Sequence, residues 1–169
     1  MPTGPTQPTI DTGPGPAGAL RARNDYHDAT VTNRQPNRAL ARPDRLALIL
    51  QRDGPECVWC RRPLALPNDP RGGRTRARAT TDHVVPKLKG GPSWIENEVA
   101  ACARCNRTRG HRSPTVWLEE CERRGDHPKH QVIAAALQAL ETAIATNGGQ
   151  RRARAYVATQ LRRLAKASR

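Results

Sequence analysis

The chain has 169 residues, with 29 Lys and Arg against 15 Asp and Glu, a formal net charge of +14, and no Phe beside three Trp and two Tyr. So few aromatic side chains exclude a large aromatic core and point to a small module that relies on a metal or cross-links; the charge points to a polyanionic partner, most often nucleic acid. No apolar run approaches the length of a membrane span, and the opening residues lack the basic and apolar regions of a secretory leader. The expectation is therefore a reducing cytoplasm, nucleoid-associated or phage-encoded, and no membrane.

Residues 1–20 are mostly Pro, Gly and Thr with one charge, Asp11, a composition that cannot bury enough apolar surface to offset chain entropy. Arg, Asn and Pro continue without an apolar period, so 1–43 is expected to be a disordered, Pro/Gly-rich basic tail. Such a tail could add sequence-blind, salt-sensitive affinity for DNA. Pro43-Asp44 starts a helix with Leu46, Ile49 and Leu50 on one face up to Arg52, and Gly54-Pro55 ends it. A Pro-, Gly- and Arg-rich loop follows over 63–78, its Arg71, Arg74, Arg76 and Arg78 forming a solvated basic rim.

Thr80, Thr81, Val84 and Val85 give 79–85 the β-branched content of a short strand, stopped by Pro86. Gly90-Gly91-Pro92 marks a turn, Val99-Ala100-Ala101 a second strand, and 105–110 a short helix. Ser113 as N-cap and Pro114 at the first position open another helix, with Val116, Trp117, Leu118 and Cys121 on its buried side. A further helix after Pro128 carries Val132, Ile133, Ala136, Leu137, Leu140 and Ile144 at helical spacing, and Asn147-Gly148-Gly149 stops it. The last helix, 150–167, sets Tyr156, Val157, Leu161 and Leu164 against Arg151, Arg152, Arg154, Arg162, Arg163 and Lys166. The expected class is α+β: a tail over 1–43, a zinc-bound domain over 44–118, and a basic helical extension over 119–169 that grips DNA, dimerises or docks a partner, its composition favouring DNA.

Cys57-x-x-Cys60 and Cys102-x-x-Cys105 supply four thiolates, the ligand set of a closed tetrahedral zinc site. The interval between the pairs, 61–101, is longer than a simple zinc ribbon allows, so zinc is read as scaffold and the insert as active site. Cys121, the odd thiol, sits at an apolar helix position and reads as a small core residue.

Within the insert, Asp82-His83 stands on the first strand. Cutting a phosphodiester needs a base for the attacking water and a hard cation for the charge on phosphate and leaving oxygen. His83 titrates in the right range for the base. Asp82 and the amide oxygen of Asn106 are hard ligands suited to Mg²⁺. Strand neighbours point opposite ways, which lets Asp82 serve one side of a phosphate and His83 the other. Asn97, with donor and acceptor arms, can tie the loop 86–93 and hold His83 in orientation. Lys87, Lys89, Arg107 and Arg109 flank the cluster as candidate phosphate contacts.

These residues resemble the HNH family of nucleases, which share a ββα-metal active site. The resemblance rests on Cys57 and Cys60, Asp82-His83 with Pro86, Gly90-Gly91, Asn97, then Cys102 and Cys105-Asn106 followed by Arg107 and Arg109. It covers about 53–118, including Arg112-Ser113-Pro114 with Trp117-Leu118, and leaves out the tail and the last two helices. It implies His83 as general base, Asp82 as ligand of a catalytic Mg²⁺ or Mn²⁺, and Asn97 as the brace that orients the base. Asn106 fills the third signature position, where the name-giving pattern has His, as in HNN-type members; His111, five residues on, lies off its helix face. The implied activity is hydrolysis of DNA, double-stranded favoured, leaving 5′-phosphate and 3′-hydroxyl ends. Two rivals stand beside it: a non-catalytic zinc-knuckle nucleic-acid-binding module, and an adaptor subunit of a larger DNA-processing complex. Oligomeric state is not legible.

Overall fold

The first helix, α1 (Arg42–Asp53), forms where a proline occupies the first turn, Asp44 faces the positive end of the helix dipole and Arg52 the negative end. These coordinates are a computed structural model describing Met1 and residues 41–66, 69 and 75–167. Apart from Met1 and 41–43, the expected tail lies outside the described residues, as do Arg71 and Arg74 of the loop. The described residues beyond Met1 belong to one unit, Asn33–Arg169.

Two short strands, β1 (Ala79–His83) and β2 (Glu98–Cys102), pair antiparallel with Ala79 opposite Cys102 and His83 opposite Glu98. A two-stranded ribbon alone is marginal in water, and both of its edges are capped by the chain around it. On the β2 side, Ala100 donates its N–H to Asp53 at the end of α1 (2.8 Å) and accepts from Val58 of the first Cys turn (2.9 Å). On the β1 side, Asn106 and Arg109 of α2 (Ala103–Arg109) donate to the carbonyls of Thr81 and His83. The β1 strand is shorter than expected. After His83 the chain leaves the ladder, because Val84 bonds the Asn97 carbonyl (2.8 Å) and Val85 the Asn97 side chain (2.8 Å). Val84 and Val85 therefore enter the core as loop residues.

Between the strands lie two 3₁₀ turns, Lys87–Lys89 and Ile95–Asn97. Past α2, helix α3 (Pro114–Arg123) has Ser113 as N-cap, its hydroxyl accepting from Val116 (3.3 Å). Helices α4 (His130–Asn147) and α5 (Arg151–Ala167) complete the chain. Residues 119–167 do not form a core of their own. Ile133, Leu137, Leu140 and Ile144 of α4 and Val157 of α5 lie in the same buried cluster as Trp59, Val99 and Ile49. The fold is α+β, and its small sheet is wrapped by helices that share one core. Among the described residues no helix is long and apolar enough to cross a membrane.

Candidate metal and catalytic site

The four cysteines come from two turns that the ribbon brings face to face. Cys57 and Cys60 occupy a tight turn after α1, closed by the N–H of Arg61 on the Cys57 carbonyl (2.9 Å). Cys102 is both the last residue of β2 and the N-cap of α2, where its sulfur accepts from the N–H of Cys105 (3.4 Å). All four sulfurs lie within 4.8 Å of one another, with Cys60 and Cys102 at 4.0 Å. Tetrahedral bonds of about 2.3 Å to zinc put sulfurs about 3.8 Å apart, so the set fits such an ion closely. All four are buried and none is in a disulfide. Four protein ligands would leave no open position on such an ion, the arrangement of a closed site. Cys121 is buried away from water, which pushes its thiol up to about 12 and leaves it protonated.

Strand alternation sends Asp82 and His83 to opposite sides of the ribbon. His83 faces its cross-strand partner Glu98, with Nε2 3.7 Å from Oε1 of a carboxylate that Arg45 of α1 holds at 2.6 Å. Nε2 is closed off from solvent and has no hydrogen-bond partner. Burial pushes the imidazole pKa below its ordinary value while the charge of Glu98 pulls it back up. The ring is therefore neutral at pH 7, the form a base requires.

Asp82 faces the other way, into the protein, and is 5% exposed. The Trp59 indole donates to Oδ2 (2.9 Å), and Arg109 donates through Nη1 to both oxygens (3.0 Å each). The same guanidinium bonds the carbonyls of His83 and Val84 (2.6 Å each) and lies over the Trp59 ring, 4.9 Å from its centre. Burial raises the Asp82 pKa, opposed by Arg109 and Trp59. Two expectations change here. Arg109, expected on a phosphate-facing rim, is 1% exposed and out of reach of DNA. Asp82, expected to face a divalent ion, has both oxygens engaged by N–H donors, so a hard cation does not fit the carboxylate in this arrangement.

Asn106, half-buried on α2, spends its amide nitrogen on the Thr81 carbonyl (2.9 Å) and the Thr80 hydroxyl (3.2 Å). Its oxygen is the remaining arm, the atom a hard ion would use. Asn97 is fully buried; Oδ1 accepts from Val85 N–H (2.8 Å), and Nδ2 donates to the carbonyls of Val85 (3.0 Å) and Pro92 (2.9 Å). It thus ties both ends of the loop after His83. Gly91 permits that clamp, since a Cβ there would stand 1.9 Å from the Val85 oxygen and 2.9 Å from Asn97 Nδ2. Lys87, Lys89 and Arg107 are exposed on the rim.

Sequence reasoning missed Glu98, Arg45 and Trp59. The partnership of Glu98 with His83 depends on strand register, which no local signal gives. That Arg109 and Asn106 both meet β1 had a signal, because residues three apart share a helix face.

Residues 57–112 match the family model described as HNH endonuclease. Over 84 residues, 49% of this chain, the sequence is 29% identical to the CRISPR-associated endonuclease Cas9 of Corynebacterium diphtheriae. That alignment covers 7% of the relative, so the chain spans only a small part of its length. No solved structure matches the chain. The matched segment is the one that holds the cysteine cluster, the Asp82-His83 strand, Asn97 and Asn106. Residues 57–112 are thus similar to the HNH endonuclease family, in a form whose four cysteines can hold a metal ion such as zinc.

Proposed function

We propose that the protein is an endonuclease that hydrolyses DNA phosphodiester bonds, with His83 as the base that takes a proton from the attacking water. One observation carries this reading. A histidine at the end of a catalytic-family strand is held neutral by burial, faces a carboxylate fixed by Arg45, and is followed by a loop clamped by Asn97. The carboxylate of Glu98 favours the proton on Nε2, which leaves the Nδ1 lone pair for water. Glu98 also offsets the charge the ring acquires on taking that proton. Asn97 keeps the loop from carrying the ring away.

The four cysteines hold zinc as scaffold, and the exposed cations Lys87, Lys89 and Arg107 meet backbone phosphates. A Mg²⁺- or Mn²⁺-class ion, as expected for the family, would supply charge against the phosphate and could be met by the Asn106 oxygen. Because Asp82 is closed by Arg109, no step is routed through it. The substrate is double-stranded DNA.

The test is nicking of supercoiled plasmid by zinc-loaded protein with and without Mg²⁺ or Mn²⁺. His83→Ala should abolish nicking while zinc content and DNA retention stay near those of the parent. A second reading, a non-catalytic DNA-binding module, is favoured by the sealed state of Asp82. It takes over if the parent retains DNA and shows no metal-dependent nicking.

A further inference from the structure

The sequence sets the last helix apart from the reaction centre, and the fold brings its first turn back to it. The loop that leaves His83 enters the 3₁₀ turn Lys87–Lys89, and the backbone of α5 rests directly on the residue that ends this turn. Gly90 there has φ 86°. A Cβ at Gly90 would stand 3.0 Å from Cβ of Arg152 and 3.3 Å from N of Ala153, so the glycine both closes the turn and admits the helix. Arg152 Nη2 reaches the Leu88 carbonyl at 3.5 Å. The helix is pinned beyond that contact as well. Ala153 and Val157 are fully buried, and buried Gln160 accepts from Thr115 of α3 at 2.8 Å.

Four exposed cations belong to the two segments that meet here: Lys87 and Lys89 on the turn, Arg151 and Arg152 at the start of the helix. Neither 84–93 nor 148–155 contains an acidic residue, and among the described residues none of the four is in an ion pair. The far end of the same helix differs, because Arg163 and Lys166 line a cleft of about 680 Å³ together with Glu119 and Glu122. Lys87 is close enough to His83 to disfavour its protonated form. The turn that carries Lys87, beside His83, is thus joined to the start of α5 at Gly90 and Leu88, and neither segment brings an acidic residue.

We infer that Arg151 and Arg152 form, with Lys87 and Lys89, one phosphate-binding surface through which α5 holds the DNA backbone beside His83. The inference rests on the nuclease reading above and deepens it: residues far from the family segment position the substrate. Cations that contact phosphate release counterions, and each contact adds about 0.9 to the slope of log affinity against log salt.

The experiment measures retention of a short DNA duplex across a salt series without added Mg²⁺. It uses the full zinc-loaded chain in the His83→Ala background. Arg151→Gln/Arg152→Gln keeps helix propensity and removes two charges. The slope should fall by about 2 and affinity at 0.15 M salt by about 30-fold, with Arg151→Lys/Arg152→Lys restoring the slope. Arg162→Gln/Arg163→Gln, the same charge change at the far end, should leave the slope near that of the parent. An unchanged slope in the first variant, an equal loss in the far-end variant, or retention of RNA in preference to the duplex each overturns the inference. Failure of the nuclease reading looks different, because Arg151→Gln/Arg152→Gln then still lowers the slope while the protein with His83 intact shows no nicking.

Discussion

Replacing Arg109 with Met tests whether the buried guanidinium, rather than an ion, is the partner of Asp82. The change removes two bonds to the carboxylate at 3.0 Å and two to the carbonyls of His83 and Val84 at 2.6 Å. Trp59 is the remaining side-chain donor to Asp82. Both side chains of the pair are essentially inaccessible, 0% and 6% exposed, so water cannot replace what is lost. Breaking such a pair from one side costs about 3–5 kcal/mol, a large share of a typical total of about 5–15 kcal/mol. The sign of the pH effect follows. Burial already holds the Asp82 pKa above its ordinary value, and Arg109 is the largest force opposing that rise. Without Arg109 the folded-state pKa climbs further, so the penalty is full above that value and shrinks as pH falls through it. The assay is urea unfolding at fixed zinc, at neutral pH and at acid pH, for the parent, Arg109→Met and Arg109→Met/Asp82→Leu. The double variant should recover most of the loss, because an apolar pair can replace a buried ion pair at little cost. An Arg109→Met protein within about 1 kcal/mol of the parent, or a gap that does not narrow in acid, would refute the reasoning.

Other outcomes follow from the same geometry. Cys57→Ser, or chelation of the parent, should unfold the protein, since thiolate-bound zinc contributes about 10–16 kcal/mol; a folded, zinc-free Cys57→Ser protein by circular dichroism would count against the scaffold role. Gly91→Ala places a Cβ 1.9 Å from the Val85 oxygen and 2.9 Å from Asn97 Nδ2, which opens the clamp. At about 1 kcal/mol for each of its bonds, the expected loss is about 2–3 kcal/mol, and a melting curve matching the parent would contradict it. For His83 the folded pKa lies below 6.5, so nicking should be flat above that pH and fall only below it. The stability linked to the neutral ring is likewise present above 6.5 and lost as pH falls through the folded value; an acidic limb centred above 6.5 would be inconsistent with burial as the dominant influence.

The features legible in the sequence were those set by short chain distances. Each Cys-x-x-Cys pair fits inside one turn, so its spacing alone forecast half of a tetrahedron, and two halves needed only a hairpin to meet. Ser113-Pro114 and the apolar period of α4 were equally local, depending on capping and on side chains recurring with the helical turn. The Asn97 clamp was within reach for the same reason, because Val85 and Pro92 are near in sequence and an amide has two arms to give. That 79–85 would lose its last two residues from the strand was not legible, since the clamp competes with the ladder for the same backbone groups.

The tertiary structure decided which way each charge points. Glu98 meets His83 only through strand register, and Arg45 meets Glu98 only because α1 lies against β2, pairings separated by up to 53 residues. Arg109 looked like one more surface arginine in a chain of +14, and the fold buried it against Asp82, because a carboxylate sealed behind Trp59 must have a cation beside it. The same packing returned Arg152, at the start of α5, from the far end of the chain to the loop that follows His83. Sequence by itself determined the two cysteine pairs, the strands and the helices. Only the folded chain could decide which polar groups face each other and which face solvent, because that depends on contacts whose partners are remote along the chain.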